Sequence, residues 1–106
     1  MVTVTGADNG RTIEVQTGDR IVVRLDENPT TGYSWALDGD AGESVFLQDS
    51  DFTRPENTVP GAGGQRRFTF AARRKGPADL AFKRWRQWEG DKSVVERFGF
   101  KVRVIE

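Results

Sequence analysis

Phe98-Gly99-Phe100-Lys101-Val102-Arg103-Val104 sets an apolar side chain at every second position and a glycine or a cation between. Only an extended chain sends alternate side chains to opposite faces, so this segment predicts a β-strand with one buried and one wet face. The same period of two recurs upstream. Ile13 and Val15 form one set, Ile21, Val23 and Leu25 a second, with Val22, Arg24 and Asp26 pointing the other way. Tyr33, Trp35 and Leu37, then Phe68, Phe70 and Ala72, then Ala78, Leu80 and Phe82 continue the series, and Trp35 falls on the core side of its set. Val2 with Val4, and the stretch from Val45 to Phe52, alternate more weakly. No window carries a helical stripe.

Turn-forming residues punctuate these runs: Asp8-Asn9-Gly10, Thr17-Gly18-Asp19, Asp38-Gly39-Asp40 and Lys75-Gly76-Pro77. Short strands at such intervals predict a β-sandwich or small barrel. Seven to eight strands in a chain of 106 residues fit an all-β, immunoglobulin-like antiparallel β-sandwich, without that fold's usual cysteine pair. The length predicts a single domain over residues 1–106, large enough to bury a core without staples.

Composition removes several classes of function. With no cysteine and no histidine, the chain has no thiol nucleophile, no thiolate zinc site and no side chain that titrates near neutrality. Nothing places a Ser/Lys pair or a carboxylate dyad convincingly, so no enzyme activity, cofactor or metal is expected. Asp38 with Asp40, and Asp49 with Asp51, are expected to solvate edges, and Asp38 to Glu43 lacks a cation-ligand spacing. Sixteen basic residues balance sixteen acidic ones, which argues against nucleic acid or an anionic membrane as partner. Arg66, Arg67, Arg73, Arg74 and Lys75 are expected on a solvated outer face. The N-terminus has neither the charged start nor the apolar run of a signal peptide. The chain is therefore expected in the cytoplasm as written, or exported if it is a mature form, and as a monomer.

Three connections exceed a minimal turn. In Glu27-Asn28-Pro29-Thr30-Thr31-Gly32, Pro29 restricts its own φ and its predecessor, Asn28 and the threonines can bond local backbone, and Gly32 can return the chain at positive φ. The result is either a rigid hairpin connection or a stiff, uncharged wedge. Residues 55–64 contain Pro60-Gly61-Ala62-Gly63-Gly64, either a flexible linker or a bare backbone arm open to strand-like pairing. Residues 84–91 contain Arg84-Trp85-Arg86-Gln87-Trp88-Glu89-Gly90. Trp88 lies where alternation has ended, and is either stacked under Arg86 or a binding anchor. Trp85, on the parity opposite to Leu80 and Phe82, covers the outer face of its sheet or belongs to the loop.

Asn28-Pro29-Thr30-Thr31-Gly32-Tyr33-Ser34-Trp35, the glycine-rich Pro60–Gly64 segment and Arg86-Gln87-Trp88 together resemble, in order and spacing, the three signature loops of the chagasin-like inhibitors of papain-family cysteine peptidases. The resemblance spans essentially the whole chain. It implies an immunoglobulin-like sandwich with the loops gathered at one end, and reversible, tight, non-covalent occlusion of a papain-like cleft. Asn28, Pro29, Thr30, Thr31 and Gly32 would then lie over the catalytic cysteine and histidine. Gly61, Ala62, Gly63 and Gly64 would run beside the non-primed subsites, and Trp88 would rest on aromatic surface on the primed side, with Arg86 making polar contacts. Gln87 stands where the family usually has proline, which is expected to loosen the third loop by about 0.4–1 kcal/mol, with bulky Trp85 restoring part of the stiffness. The alternative from another class is a carbohydrate-binding or adhesion module that uses Trp85 and Trp88 to stack sugars.

Overall fold

The computed structural model describes residues 1–54 and 63–106. Among the described residues, eight strands form in the order β1 (Val2–Thr5), β2 (Thr12–Gln16), β3 (Arg20–Glu27), β4 (Ser34–Leu37), β5 (Val45–Thr53), β6 (Gly64–Ala72), β7 (Gly76–Trp85) and β8 (Glu96–Ile105). They assemble into two four-stranded sheets, β1-β3-β6-β5 and β2-β8-β7-β4, which stay separate and do not close into a barrel. Short 3-10 segments interrupt the strands at Gly6–Asp8, Pro29–Thr31 and Gln87–Ser93.

The alternating residues named above fill the space between the sheets. Ile21, Val23 and Leu25 of β3 meet Phe68 and Phe70 of β6, and from the other sheet Leu80, Phe82, Phe98, Phe100, Val102 and Val104 face them. Phe82 is the centre of an aromatic cluster, its ring 4.9 Å from Phe68, 5.8 Å from Phe98, 6.1 Å from Phe70 and 6.4 Å from Phe100. Trp35 is buried in this core.

The structure differs from the sequence reading in several places. β1 runs parallel to β3 and β2 parallel to β8, while the other pairings are antiparallel. Successive N-terminal strands alternate between sheets, and such a crossover lets two strands run the same way. Val22 points away from the core yet is buried, because its central strand places Thr3 and Thr69 in register on either side. Tyr33 lies outside β4.

The arginine-rich face is not simply solvated either. Arg67 pairs with Asp51 at 2.6 Å and Arg73 lies over the Phe46 ring at 4.4 Å. Arg66 turns inward to a buried carboxylate.

Phe82→Ala removes the ring on which four others rest and is expected to destabilise the fold by about 3–5 kcal/mol in urea unfolding. A change below about 1 kcal/mol would mean that the cluster is not the centre of the core.

Candidate functional site

The three long connections leave the sandwich at the same end. The first, between β3 and β4, joins strands of different sheets, so it is a crossover and not a hairpin. Its base is set by Glu27, which continues the inward parity of Ile21, Val23 and Leu25 and is only 3% exposed. Trp35 N–H donates to Glu27 Oε1 at 2.7 Å, and Arg66 donates to Oε2 through Nε (3.2 Å) and Nη2 (2.8 Å). A buried carboxylate is tolerated only when its charge and lone pairs are met in this way. The Trp35 indole N–H closes the base further by donating to the Asp26 carbonyl at 2.9 Å.

Above this base the chain makes one 3-10 turn, Pro29–Thr31, held by short side chains. Thr30 donates to Asn28 Oδ1 through both its N–H (3.1 Å) and its hydroxyl (2.7 Å). The Thr31 hydroxyl donates to the Asn28 carbonyl at 2.8 Å and accepts from Tyr33 N–H at 3.3 Å. Gly32 has φ of 80°, a left-handed conformation that returns the chain as expected. The tip is therefore stiff and uncharged, with Thr30 and Thr31 exposed.

The third connection begins where β7 ends. Trp85 is the last residue of that strand, and Lys83 Nζ sits 3.7 Å from the centre of its ring, so Trp85 belongs to the outer sheet face and not to the loop. Gln87 opens the 3-10 segment Gln87–Ser93. Ser93, not Trp85, supplies the stiffness that the missing proline takes away. Its Oγ accepts from Arg86 N–H at 2.9 Å and lies 3.0 Å from the Arg86 carbonyl and 2.7 Å from the Gly90 carbonyl, either of which can accept its proton. Lys83 Nζ also reaches Asp91 at 2.9 Å. The hydrogen bond and charge of Lys83 hold the Asp91 carboxyl below its usual range. Because the folded value is the lower one, this tether contributes above the ordinary carboxylate range and is lost as the pH falls through the depressed value.

Arg86 does not stack on Trp88. Its guanidinium carbon lies 4.4 Å from the centre of the Tyr33 ring, and Nη2 donates to the Thr31 carbonyl at 3.2 Å. Trp88 is 73% exposed and leans against the first loop, so that a Cβ on Gly32 would stand 3.1 Å from its Cη2 atom. The first and third loops are thus in contact.

The second connection is a hairpin between the antiparallel β5 and β6. Pro60, Gly61 and Ala62 lie outside the described residues, but Gly63 and Gly64 at its base are placed. Glu27 pairs with Gly64 in the ladder, and a Cβ on Gly63 would stand 3.2 Å from the Glu27 carbonyl and 3.6 Å from Asn28 Cβ. At Gly64 a Cβ would fall on the Thr53 carbonyl and 2.9 Å from Phe52 Cζ, so no side chain fits. The base of the second loop therefore flanks the first at Glu27 and Asn28.

Asn28, Thr30, Thr31, Gly32, Gly63, Gly64, Arg86 and Trp88 accordingly come together, with the backbone of Pro29 among them. Sequence reasoning missed Glu27, Arg66 and Ser93. The first two carried a signal, since each falls on the inward parity of its strand. Ser93 carried none.

Glu27→Gln removes the anion that Arg66 faces, sets an amide N–H against one of the buried donors, and is expected to destabilise the fold by about 2–3 kcal/mol in urea unfolding. Gly64→Ala is expected to destabilise by at least about 2 kcal/mol, because the clash is with backbone. A Gly64→Ala protein as stable as the parent would show that β5 and β6 are not packed this closely.

Comparison with known proteins bears on the fold and the family. The profile described as chagasin family peptidase inhibitor I42 matches residues 14–102. Chagasin of Trypanosoma cruzi is 32% identical over 99 residues, covering 90% of both chains. Among solved structures, the cysteine protease inhibitor EhICP2 of Entamoeba histolytica superposes with a TM-score of 0.85 at 19% identity, covering 98% of this chain and 95% of that one. PbICP-C, solved in complex with falcipain-2, superposes with a TM-score of 0.68 at 15% identity, covering 99% and 100%. These two likenesses concern the fold. The profile match and the identity to chagasin go further: the chain belongs to the chagasin family of peptidase inhibitors.

Proposed function

We propose that this protein is a reversible, tight-binding, non-covalent inhibitor of papain-like cysteine peptidases that fills the active-site cleft with residues 27–32, 55–64 and 84–91. The observation that carries the reading is the convergence at one end of a stiff uncharged turn, a side-chain-free strand end and an exposed indole. Family membership supplies the class of partner. The turn over Asn28 to Gly32 lies over the peptidase's cysteine and histidine, the glycine-rich arm (Gly61, Ala62, Gly63 and Gly64) offers backbone to one side, and Trp88 anchors the other.

Affinity in this scheme comes from preorganisation. Complexes between proteases and protein inhibitors bury about 1,600 Å² and reach nanomolar binding, near −12 kcal/mol, only when little ordering is left to do. Here the ordering is done in the free protein by the bonds of Asn28, Thr31 and Ser93. Inhibition is steric, because the turn occupies space without extending a peptide across the nucleophile.

Titrating papain with the protein is expected to give a sharp stoichiometric endpoint, and mass spectrometry after prolonged incubation is expected to find the chain intact. Stoichiometric clipping between Asn28 and Gly32 would refute the steric mechanism. Trp88→Ala is expected to weaken inhibition by about 2 kcal/mol, roughly thirtyfold, and Thr31→Ala less. An unchanged inhibition constant for Trp88→Ala would remove the third loop from the interface.

A further inference from the structure

We propose that Arg86 is a positioning residue that keeps this inhibitor from becoming a substrate: its guanidinium holds the Thr31 carbonyl out of attack geometry, so the Thr31–Gly32 bond survives beside the peptidase's nucleophile. The inference rests on the proposal that the first loop lies over that nucleophile.

Arg86 makes three contacts within the protein, and its Nε is left without a hydrogen-bond partner among the described residues. Its Nη2 donates to Thr31 O at 3.2 Å, the plane lies on Tyr33 at 4.4 Å, and Nη1 is 3.6 Å from Glu89 Oε2. Nε lies 3.5 Å from the place a Gly32 Cβ would take. Only a planar cation can stack on a ring and donate in its own plane at once, so lysine is a poor replacement. The residue reaches Thr31 from the third loop, 55 positions away in the chain, which makes the restraint on this carbonyl tertiary and not local.

Cleavage at Thr31–Gly32 would need that same carbonyl. The peptidase thiolate must add to the Thr31 carbonyl carbon, with the oxygen about 2.7–3.1 Å from the oxyanion donors. The C–N bond then breaks as the Gly32 nitrogen takes a proton from the peptidase's acid, and one water hydrolyses the thioester to release the Thr31 carboxylate and regenerate the thiol. In the free protein the oxygen is already bonded to Arg86, Thr31 N–H closes the turn onto the Asn28 carbonyl at 3.2 Å, and Gly32 is left-handed. Presenting the bond requires giving up the Arg86 contact and unwinding the turn together. Without Arg86 the local bonds of Asn28 and Thr31 and the packing of Trp88 on Gly32 remain, but no donor holds the Thr31 oxygen from the third loop.

The test incubates the wild type, Arg86→Ala, Arg86→Lys and Ser93→Ala with papain, following residual inhibition and intact mass over time, with thermal melts as a check on folding. Arg86→Ala is expected to inhibit transiently while fragments ending at Thr31 and beginning at Gly32 accumulate at least about tenfold faster than from the wild type, the effect of losing one charge-assisted hydrogen bond. Arg86→Lys is expected to be cleaved at the same bond at an intermediate rate. Ser93→Ala, which loosens the third loop but leaves the Thr31 contact, is expected to inhibit more weakly without cleavage there. An Arg86→Ala protein that stays intact, or is cut only elsewhere, overturns the proposal, as does equally fast cleavage of Ser93→Ala at Thr31–Gly32. Should Arg86→Ala not fold, an intact Arg86→Lys overturns it alone. A wild type that does not inhibit papain refutes the functional reading itself, and this inference with it.

Discussion

The Glu27 carboxylate is buried where β3 leaves its sheet, and donors from two other strands converge on it: the Trp35 amide of β4 and the Arg66 guanidinium of β6. An ion in that position cannot be hydrated, so it holds its partners or the end of the sandwich fails. One donor belongs to the strand that receives the first loop, and the other to the strand that receives the second. Their separation is therefore fixed by a single side chain. Gly64, paired with Glu27 and closed against Thr53, completes the constraint by letting β5 and β6 approach where any larger residue would force them apart.

The rest of the site is built outward from this base in layers of decreasing burial. Asn28 and Thr31 convert a six-residue crossover into a closed turn through bonds that any solvent molecule could otherwise make, which is why stiffness here depends on geometry and not on dryness. Ser93 does the equivalent for the third loop, so that Gln87 costs the loop a restricted φ without leaving it slack. Arg86 then links the two loops, and the indole of Trp88 is left largely exposed against Gly32. In the proposed inhibitory role, covering that ring would cost little further ordering, because the loops on either side of it are already bonded in place.

Local signals in the chain were read well where side-chain parity and backbone chemistry act over a few residues. The alternation of Phe98 to Val104 and of Ala78 to Phe82 gave strands whose inward residues are the core, and the Asn-Pro-Thr-Thr-Gly run gave a turn bonded by its own side chains. Trp35 in the core and Gly32 at positive φ follow from the same short-range rules. The parallel placement of β1 and β2 was not legible, because which sheet a strand joins is a property of its neighbours. Nor was Arg66 read correctly: an exposed cation on a strand and one turned onto a buried acid look alike in a one-dimensional pattern.

By itself, then, the sequence determined the strands, their buried faces, the stiffness of the first loop and, through three ordered motifs, the family to which the chain belongs. Tertiary structure alone decided that the described parts of those loops share one end, that the first is a crossover between sheets, that Glu27 joins their bases, and that Arg86 spends its charge on the Thr31 carbonyl. The physical reason is range. A period of two and a positive φ are settled within a turn or a strand, whereas the partners of a buried ion or a guanidinium are chosen among residues dozens of positions apart, and only the packed sheets bring them within a hydrogen bond's length.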